Sequence, residues 1–138
     1  MFIIIIAIAT VVIVSLIIVI LKTVVSPKKI ENIPRLIKQG KTQNAIKLAK
    51  QIIAKDQKNY LAHYYLGKAY IKENRNELAV IEYKNVNDNA LFGEGINELT
   101  FRSEYSQLLL KYNQQNEALK NFLLLTKLDR RMQKTFIR

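Results

Sequence analysis

The chain has 138 residues, with 22 lysine and arginine residues against 11 acidic ones, a formal net charge of +11 and no cysteine. Its length suffices for one small domain and one membrane segment, and the lack of cysteine excludes disulfides, thiolate metal sites and thiol nucleophiles. Frequent isoleucine, lysine and asparagine is typical of AT-rich bacterial genomes, so we expect a bacterial protein.

Residues 1–25 are predicted to form a transmembrane anchor. The run from Phe2 to Leu21 has no charged side chain, and its only polar residues are Thr10 and Ser15. Twenty helical residues span about 30 Å, the thickness of the bilayer hydrocarbon. A cleaved signal peptide is a weaker alternative, because no basic residue precedes the run and the run is longer than a signal core. A buried helix of a water-soluble domain is the remaining alternative.

The position of the basic residues predicts the topology of this anchor. All 22 lysine and arginine residues follow the apolar run, and the positive-inside rule places the basic side of a span in the cytoplasm. We therefore expect a single-pass protein of the bacterial inner membrane with its C-terminal part in the cytoplasm. A periplasmic location is the alternative.

Basic side chains near the membrane are candidates for contact with anionic lipid head groups. A solvated helix face is the simpler interpretation of such charges. Nucleic-acid binding is not expected, because no recognition motif accompanies the charge. An acidic partner protein is the remaining alternative for these basic side chains. The residues of this predicted lipid-facing surface are Lys22, Lys28, Lys29, Lys38 and Lys41.

Residues 26–32 are predicted to be a linker, with a break or kink near Asn32 because Pro34 cannot donate a backbone hydrogen bond. Apolar residues at spacings of three and four then predict helices throughout residues 33–129. Residues 130–138 remain as a tail that is too short for another repeat. The clearest helices are predicted at 42–55, 60–73, 76–86, 96–112 and 114–128.

A period of 34 residues relates these helices. It places Gly40 on Asn74, Ala45 on Ala79 and Ile52 on Val86, and it is typical of helix–turn–helix repeats. Ala118 follows Ala79 by 39 residues, so the third repeat carries a five-residue insertion, which we place between positions 87 and 95, where the residues have turn chemistry.

The middle repeat resembles the tetratricopeptide family through His63, Leu66, Gly67, Tyr70, Asn74, Ala79 and Tyr83. The resemblance covers about residues 33–129, although Tyr105 and Ser106 stand where leucine and glycine are expected, and the helix-ending proline is absent. It implies an all-α fold, with a short α-solenoid of about three tetratricopeptide-like helix pairs after the transmembrane helix. Gly67 and Ala79 would let paired helices approach closely, with Tyr70 filling the gap.

In this family the first helix of each pair lines a groove that binds a partner protein. A carboxylate clamp is not expected there, because Tyr65 stands where such clamps carry asparagine. The alternative for Tyr64 and Ile71 is packing against the first helix or the membrane-proximal segment. The groove residues that the resemblance implies are Leu61, Tyr64, Lys68, Ile71, Lys72, Gln107, Leu110 and Lys111.

No residues suggest an enzyme, a cofactor or a metal site. His63 is the only histidine, and one histidine without cysteine cannot assemble a zinc site. At the aromatic position of the tetratricopeptide pattern, His63 is expected to be a packing residue. The segment 92–95 has two glycines but lacks a third and a preceding strand, so it does not predict phosphate binding.

We therefore expect a membrane-anchored scaffold that binds a partner protein. The alternative is a structural subunit of a membrane-associated complex of the envelope-assembly, secretion or flagellar-motor type. Such a subunit would form homo- or hetero-oligomers through its last helix, where Leu123, Leu124 and Leu125 have no capping helix after them.

Overall fold

The structure, a computed structural model, describes residues 10–17, 30–93 and 95–136. Regular secondary structure in these ranges is entirely helical, in agreement with the predicted all-α class. Residues 10–17 are a helical stretch, and residues 30–38 form helix α1. The helices that follow are α2 (Thr42–Lys55), α3 (Tyr60–Lys72), α4 (Asn76–Asn89), α5 (Glu98–Lys111) and α6 (Gln115–Phe136).

The predicted transmembrane segment falls mostly outside the described residues. Its described part, residues 10–17, is helical with exposed side chains, and residues 1–9 and 18–25 are not described. Within the described ranges, no helix combines the length and the apolar character that a membrane crossing requires.

Helix α1 has no break near Asn32, where the sequence predicted a break or kink. Residues 30–38 are helical without interruption through Pro34. Ile33 is fully buried, and Leu36 and Ile37 pack against the core. Burial of this apolar face holds α1 in one piece despite the hydrogen bond that proline removes, because tertiary packing supplies most helix stability in proteins.

The turn that closes the first helix of each pair repeats three times. Gly40, Asn74 and Asn113 all have positive φ angles, at 75°, 57° and 55°, which glycine and asparagine adopt most readily. The next N–H then donates to the carbonyl five residues back: Lys41 to Leu36 at 2.9 Å, Arg75 to Tyr70 at 2.9 Å and Gln114 to Leu109 at 3.0 Å. This common turn gives the three pairs α1/α2, α3/α4 and α5/α6.

Three predicted helix boundaries shift by two residues or more. Helix α4 continues to Asn89 rather than ending at Val86, because residues expected to form a turn bond within the helix instead, as Asn89 does to the Asn85 carbonyl at 2.9 Å. Helix α5 begins at Glu98, since the Asn97 side chain accepts from the Thr100 N–H at 3.0 Å. Helix α6 runs into the predicted tail, as far as Phe136, because no glycine or proline ends it.

Helices α3 and α4 of the second pair approach each other closely at Gly67. A Cβ atom on Gly67 would lie 2.5 Å from the Tyr83 ring, so the predicted close approach at Gly67 is confirmed. The ring that fills the space is that of Tyr83, not Tyr70. Tyr83 contacts Phe101 of α5 at a centroid distance of 5.3 Å, which joins the second pair to the third.

The third pair contains a buried arginine. Arg102 donates to Asn121 of α6 at 2.8 Å and to Glu98 at 3.3 Å, and it also contacts Asn87 of α4. Its guanidinium lies 5.0 Å from the centre of the Phe92 ring in the insertion. One side chain therefore joins the end of α4, the insertion, α5 and α6.

Candidate functional site

A cleft of about 660 Å³ lies between the first helices of the three pairs. Helices α1, α3 and α5 supply most of its walls, and Asn76 and Tyr83 of α4 complete it. Its apolar residues are Pro34, Ile37, Tyr65, Ile71 and Leu108, and its charged residues are Lys38, Lys68, Lys72, Lys111 and Glu104.

The floor of the cleft is a polar network that joins α3, α4 and α5. The Lys68 ammonium is 3.2 Å from a Glu104 carboxylate oxygen, and the Tyr83 hydroxyl donates to the other oxygen at 2.8 Å. The same ammonium lies 4.9 Å from the centre of the Tyr64 ring. Each carboxylate oxygen of Glu104 therefore already has a partner within the protein.

The electrostatics of this floor keep Lys68 charged. Burial by itself would lower the pKa of Lys68, but the contact with Tyr64 and the Glu104 carboxylate outweigh it and raise the pKa. Burial, followed by the Glu104 charge, raises the pKa of the Tyr83 hydroxyl. At neutral pH Lys68 is therefore a charged ammonium and Tyr83 a neutral phenol.

The structure brings five of the predicted groove residues to the cleft. Lys68, Ile71 and Lys72 of α3 line one wall, and Gln107 and Lys111 of α5 line the other.

Three predicted groove residues lie elsewhere. Tyr64 is only 6% exposed and stacks on Tyr83 at a centroid distance of 5.8 Å, so its prediction as an outward-facing anchor is wrong. The side chain of Leu61 faces Gly95 of the insertion, where an added Cβ would lie 2.9 Å from a Leu61 methyl. Leu110 is exposed but is not part of the cleft wall.

Only two of the predicted lipid-facing residues, Lys38 and Lys41, lie in the described ranges. Lys38 lines the cleft, and Lys41 is exposed in the turn after α1. Lys22, Lys28 and Lys29 lie outside the described residues. Lys38 could have been assigned to the cleft from its spacing, since it precedes Lys72 by one 34-residue period. Sequence reasoning missed Glu104 because acidic residues on helices are usually exposed and unengaged.

His63 has the packing position that the sequence predicted. Its Nδ1 is 2.5 Å from a Glu82 carboxylate oxygen, and its Nε2 is 3.0 Å from the Gln57 carbonyl oxygen. It therefore links α3 to α4 and to the preceding turn. No group of three or more histidine and acidic side chains in the described ranges could hold a metal ion.

Two leucines of α6 are exposed among polar and charged side chains. Leu119 and Leu123 are 59% and 53% exposed, whereas Leu124 and Leu125 are partly buried. Of the three leucines expected on the uncapped surface, only Leu123 faces outward.

The cleft and the repeated turns define the class of fold, a tetratricopeptide-like α-solenoid. Residues 36–89 match the family described as tetratricopeptide repeat, a segment that runs from the last residues of α1 to the end of α4. Scaffolds of this class typically present such surfaces to other proteins.

Solved structures share this fold. One is MamA, residues 41 to the end, from Desulfovibrio magneticus RS-1, with a TM-score of 0.61 and 16% identity over 74% of this chain and 55% of that one. Another is the MamA RS-1 ArsTM double mutant, with a TM-score of 0.61 and 17% identity over 78% of this chain and 60% of that one. The chain thus spans 55% to 60% of these relatives. No curated protein sequence matches it.

Proposed function

We propose that this protein is a membrane-anchored scaffold that binds a partner protein in the cleft between α1, α3 and α5. The cleft itself is the observation that carries the proposal. It combines an apolar wall with lysines from three helices, and solenoids of this class use such surfaces to hold proteins. They are typically non-enzymatic, and we propose no catalytic role.

The membrane part of the proposal comes from the sequence. The uncharged run from Phe2 to Leu21 has the length of one span, and α1, which lines the cleft, follows within ten residues of it. An anchor so close to the cleft would confine the search for a partner to the membrane plane and raise its effective concentration.

The proposed location is the bacterial inner membrane with the repeats in the cytoplasm. Since the chain has no cysteine, one cysteine introduced at Lys84, which is exposed on α4, gives a single labelling site. A membrane-impermeant maleimide should label it only after the inner membrane is broken. Labelling in intact spheroplasts would instead place the repeats in the periplasm.

Partner binding is tested by site-specific photo-crosslinking of the full chain in cells. A crosslinking residue at Gln107 lies on the cleft wall, whereas one at Lys84 lies outside it. We expect a discrete adduct from position 107 but not from 84, and its loss on Ile71→Glu with the circular dichroism spectrum unchanged. Equal adducts from both positions, or an adduct that survives Ile71→Glu, would contradict cleft binding.

The exposed leucines of α6 support a second candidate, a structural subunit that packs through this face. Leu119 and Leu123 are adjacent on the outer surface of the helix. If they form a subunit contact, Leu119→Glu with Leu123→Glu should reduce the mass of the detergent-solubilised protein, measured by light scattering. If the wild type is a monomer, and the double variant has the same mass, this candidate is refuted.

A further inference from the structure

We propose that the cleft selects an acidic segment of its partner by means of a lysine ladder, defined as Lys38, Lys72 and Lys111. This inference rests on the proposed function and specifies the chemistry of the partner. It predicts that the bound segment carries carboxylates at regular spacing, with apolar side chains between them.

The ladder is a product of the repeat. Lys72 follows Lys38 by 34 residues, one period, and Lys111 follows Lys72 by 39, one period plus the insertion. Lys72 and Lys111 are the last residues of α3 and α5, and position 38 is the last helical residue of α1. Because the three pairs close with the same turn, each pair contributes one lysine to the cleft from the equivalent position in the repeat.

The ladder lysines are not neutralised within the described part of the chain. All three are exposed, and none forms an ion pair there. The single carboxylate of the cleft, Glu104, is held by Lys68 and Tyr83. Four lysines and one glutamate leave the cleft with a formal net charge of +3. Charge complementarity therefore favours an acidic occupant.

A lysine at the end of a helix has a simpler explanation, since it interacts favourably with the helix dipole. Lys55 ends α2 in the same way, but it does not line the cleft. The two roles can therefore be separated. Lys55 should stabilise its helix as the ladder lysines do, yet contribute nothing to binding.

The ladder suggests an extended occupant, because its three lysines come from three successive helix pairs. A polyproline II segment has three residues per turn, so every third side chain lies on one face. Carboxylates at every third position would therefore all face the ladder, and apolar residues between them would rest on Ile37 and Ile71.

The test uses the full chain in detergent micelles and a fluorescent synthetic peptide with glutamate at every third position and leucine in between. We expect Lys72→Glu to weaken binding by at least about tenfold, as loss of one partner in a charge pair can do. The matched variant Lys55→Glu should change it by less than about twofold, as an exposed charge outside the site does. A peptide with the same composition in scrambled order should bind more weakly. Absence of binding to the wild type, or equal losses in the two variants, would overturn the ladder.

The crosslink at position 107 separates failure of the ladder from failure of the scaffold. The triple variant Lys38→Gln, Lys72→Gln, Lys111→Gln should lose the adduct, whereas Lys55→Gln should keep it. If the triple variant keeps the adduct and Ile71→Glu loses it, the ladder is wrong and cleft binding stands. If both keep it, both proposals are wrong.

Discussion

Gly67→Ala should destabilise the second helix pair, although alanine normally stabilises a helix. The added Cβ would lie 2.5 Å from two carbons of the Tyr83 ring, where ordinary contact begins at 3.4 Å, so the ring must retreat by about 0.9 Å. It cannot do so freely, because it packs on Tyr64 and Phe101 and its hydroxyl donates to Glu104.

The expected net effect is a loss of about 1–2 kcal/mol in the free energy of unfolding. Overpacking of a filled core costs about 1–3 kcal/mol, and a pinned ring places this site in the upper part of that range. Replacing glycine within a helix returns about 1 kcal/mol. For a helical region of this size, the melting temperature should fall by about 5–10 °C.

The assay is thermal and urea unfolding of the full chain, followed by circular dichroism. Tyr83→Leu is the matched partner, because it removes the ring that the new methyl group meets. In the double variant, Gly67→Ala should cost much less than in the wild type, which gives a coupling free energy of about 1 kcal/mol or more. An increase in stability from Gly67→Ala alone, or strictly additive effects, would refute the close-approach reasoning.

Three further outcomes are expected in the same assay. Arg102→Met should lower the free energy of unfolding by about 2–3 kcal/mol, because it leaves buried Asn121 and other partners without their hydrogen bonds. Arg102→Lys should not recover this stability, since lysine lacks the planar group of hydrogen-bond donors. Asn74 has a φ of 57°, which alanine adopts only at a cost and glycine adopts freely. Asn74→Ala should therefore lower the free energy of unfolding by about 1 kcal/mol, whereas Asn74→Gly should not. Stability should fall above pH 10, because burial raises the pKa of Tyr105 from 10.0 to about 12 and raises that of Tyr83 as well. Raised tyrosine pKa values mean that the unfolded chain loses its protons first, so this stability is complete below pH 10 and is lost as pH rises through the folded-state values. Tyr83→Phe should make the alkaline decline shallower, and an unchanged urea midpoint between pH 9 and pH 12 in the wild type would contradict this.

Local signals explain the predictions that held. The 34-residue period placed Gly40 on Asn74, and both have the positive φ that the closing turn needs. The structure adds Asn113 as the third such position. Gly67 was correctly predicted as a point of close approach because only glycine lacks a side chain there. The spacing also contained the lysine ladder, although Lys38 was assigned to the lipid surface when α1 was considered without its neighbours.

The errors concern residues whose surroundings come from distant parts of the chain. Tyr64 was placed outward because a single helix has one exposed face, but α3 packs against α2 and α4, and its Tyr64 ring also meets Phe101 of α5. The sequence made no prediction for Arg102, whose burial depends on Asn87, Asn121 and Phe92 from three other elements.

The sequence by itself determined the helices, the period and the closing turns, since each depends on residues within one turn or one repeat. Only the tertiary structure decided which side chains share the cleft. That outcome depends on how far α1, α3 and α5 lie from one another and on where the insertion folds, and these distances are set by packing among all three pairs together.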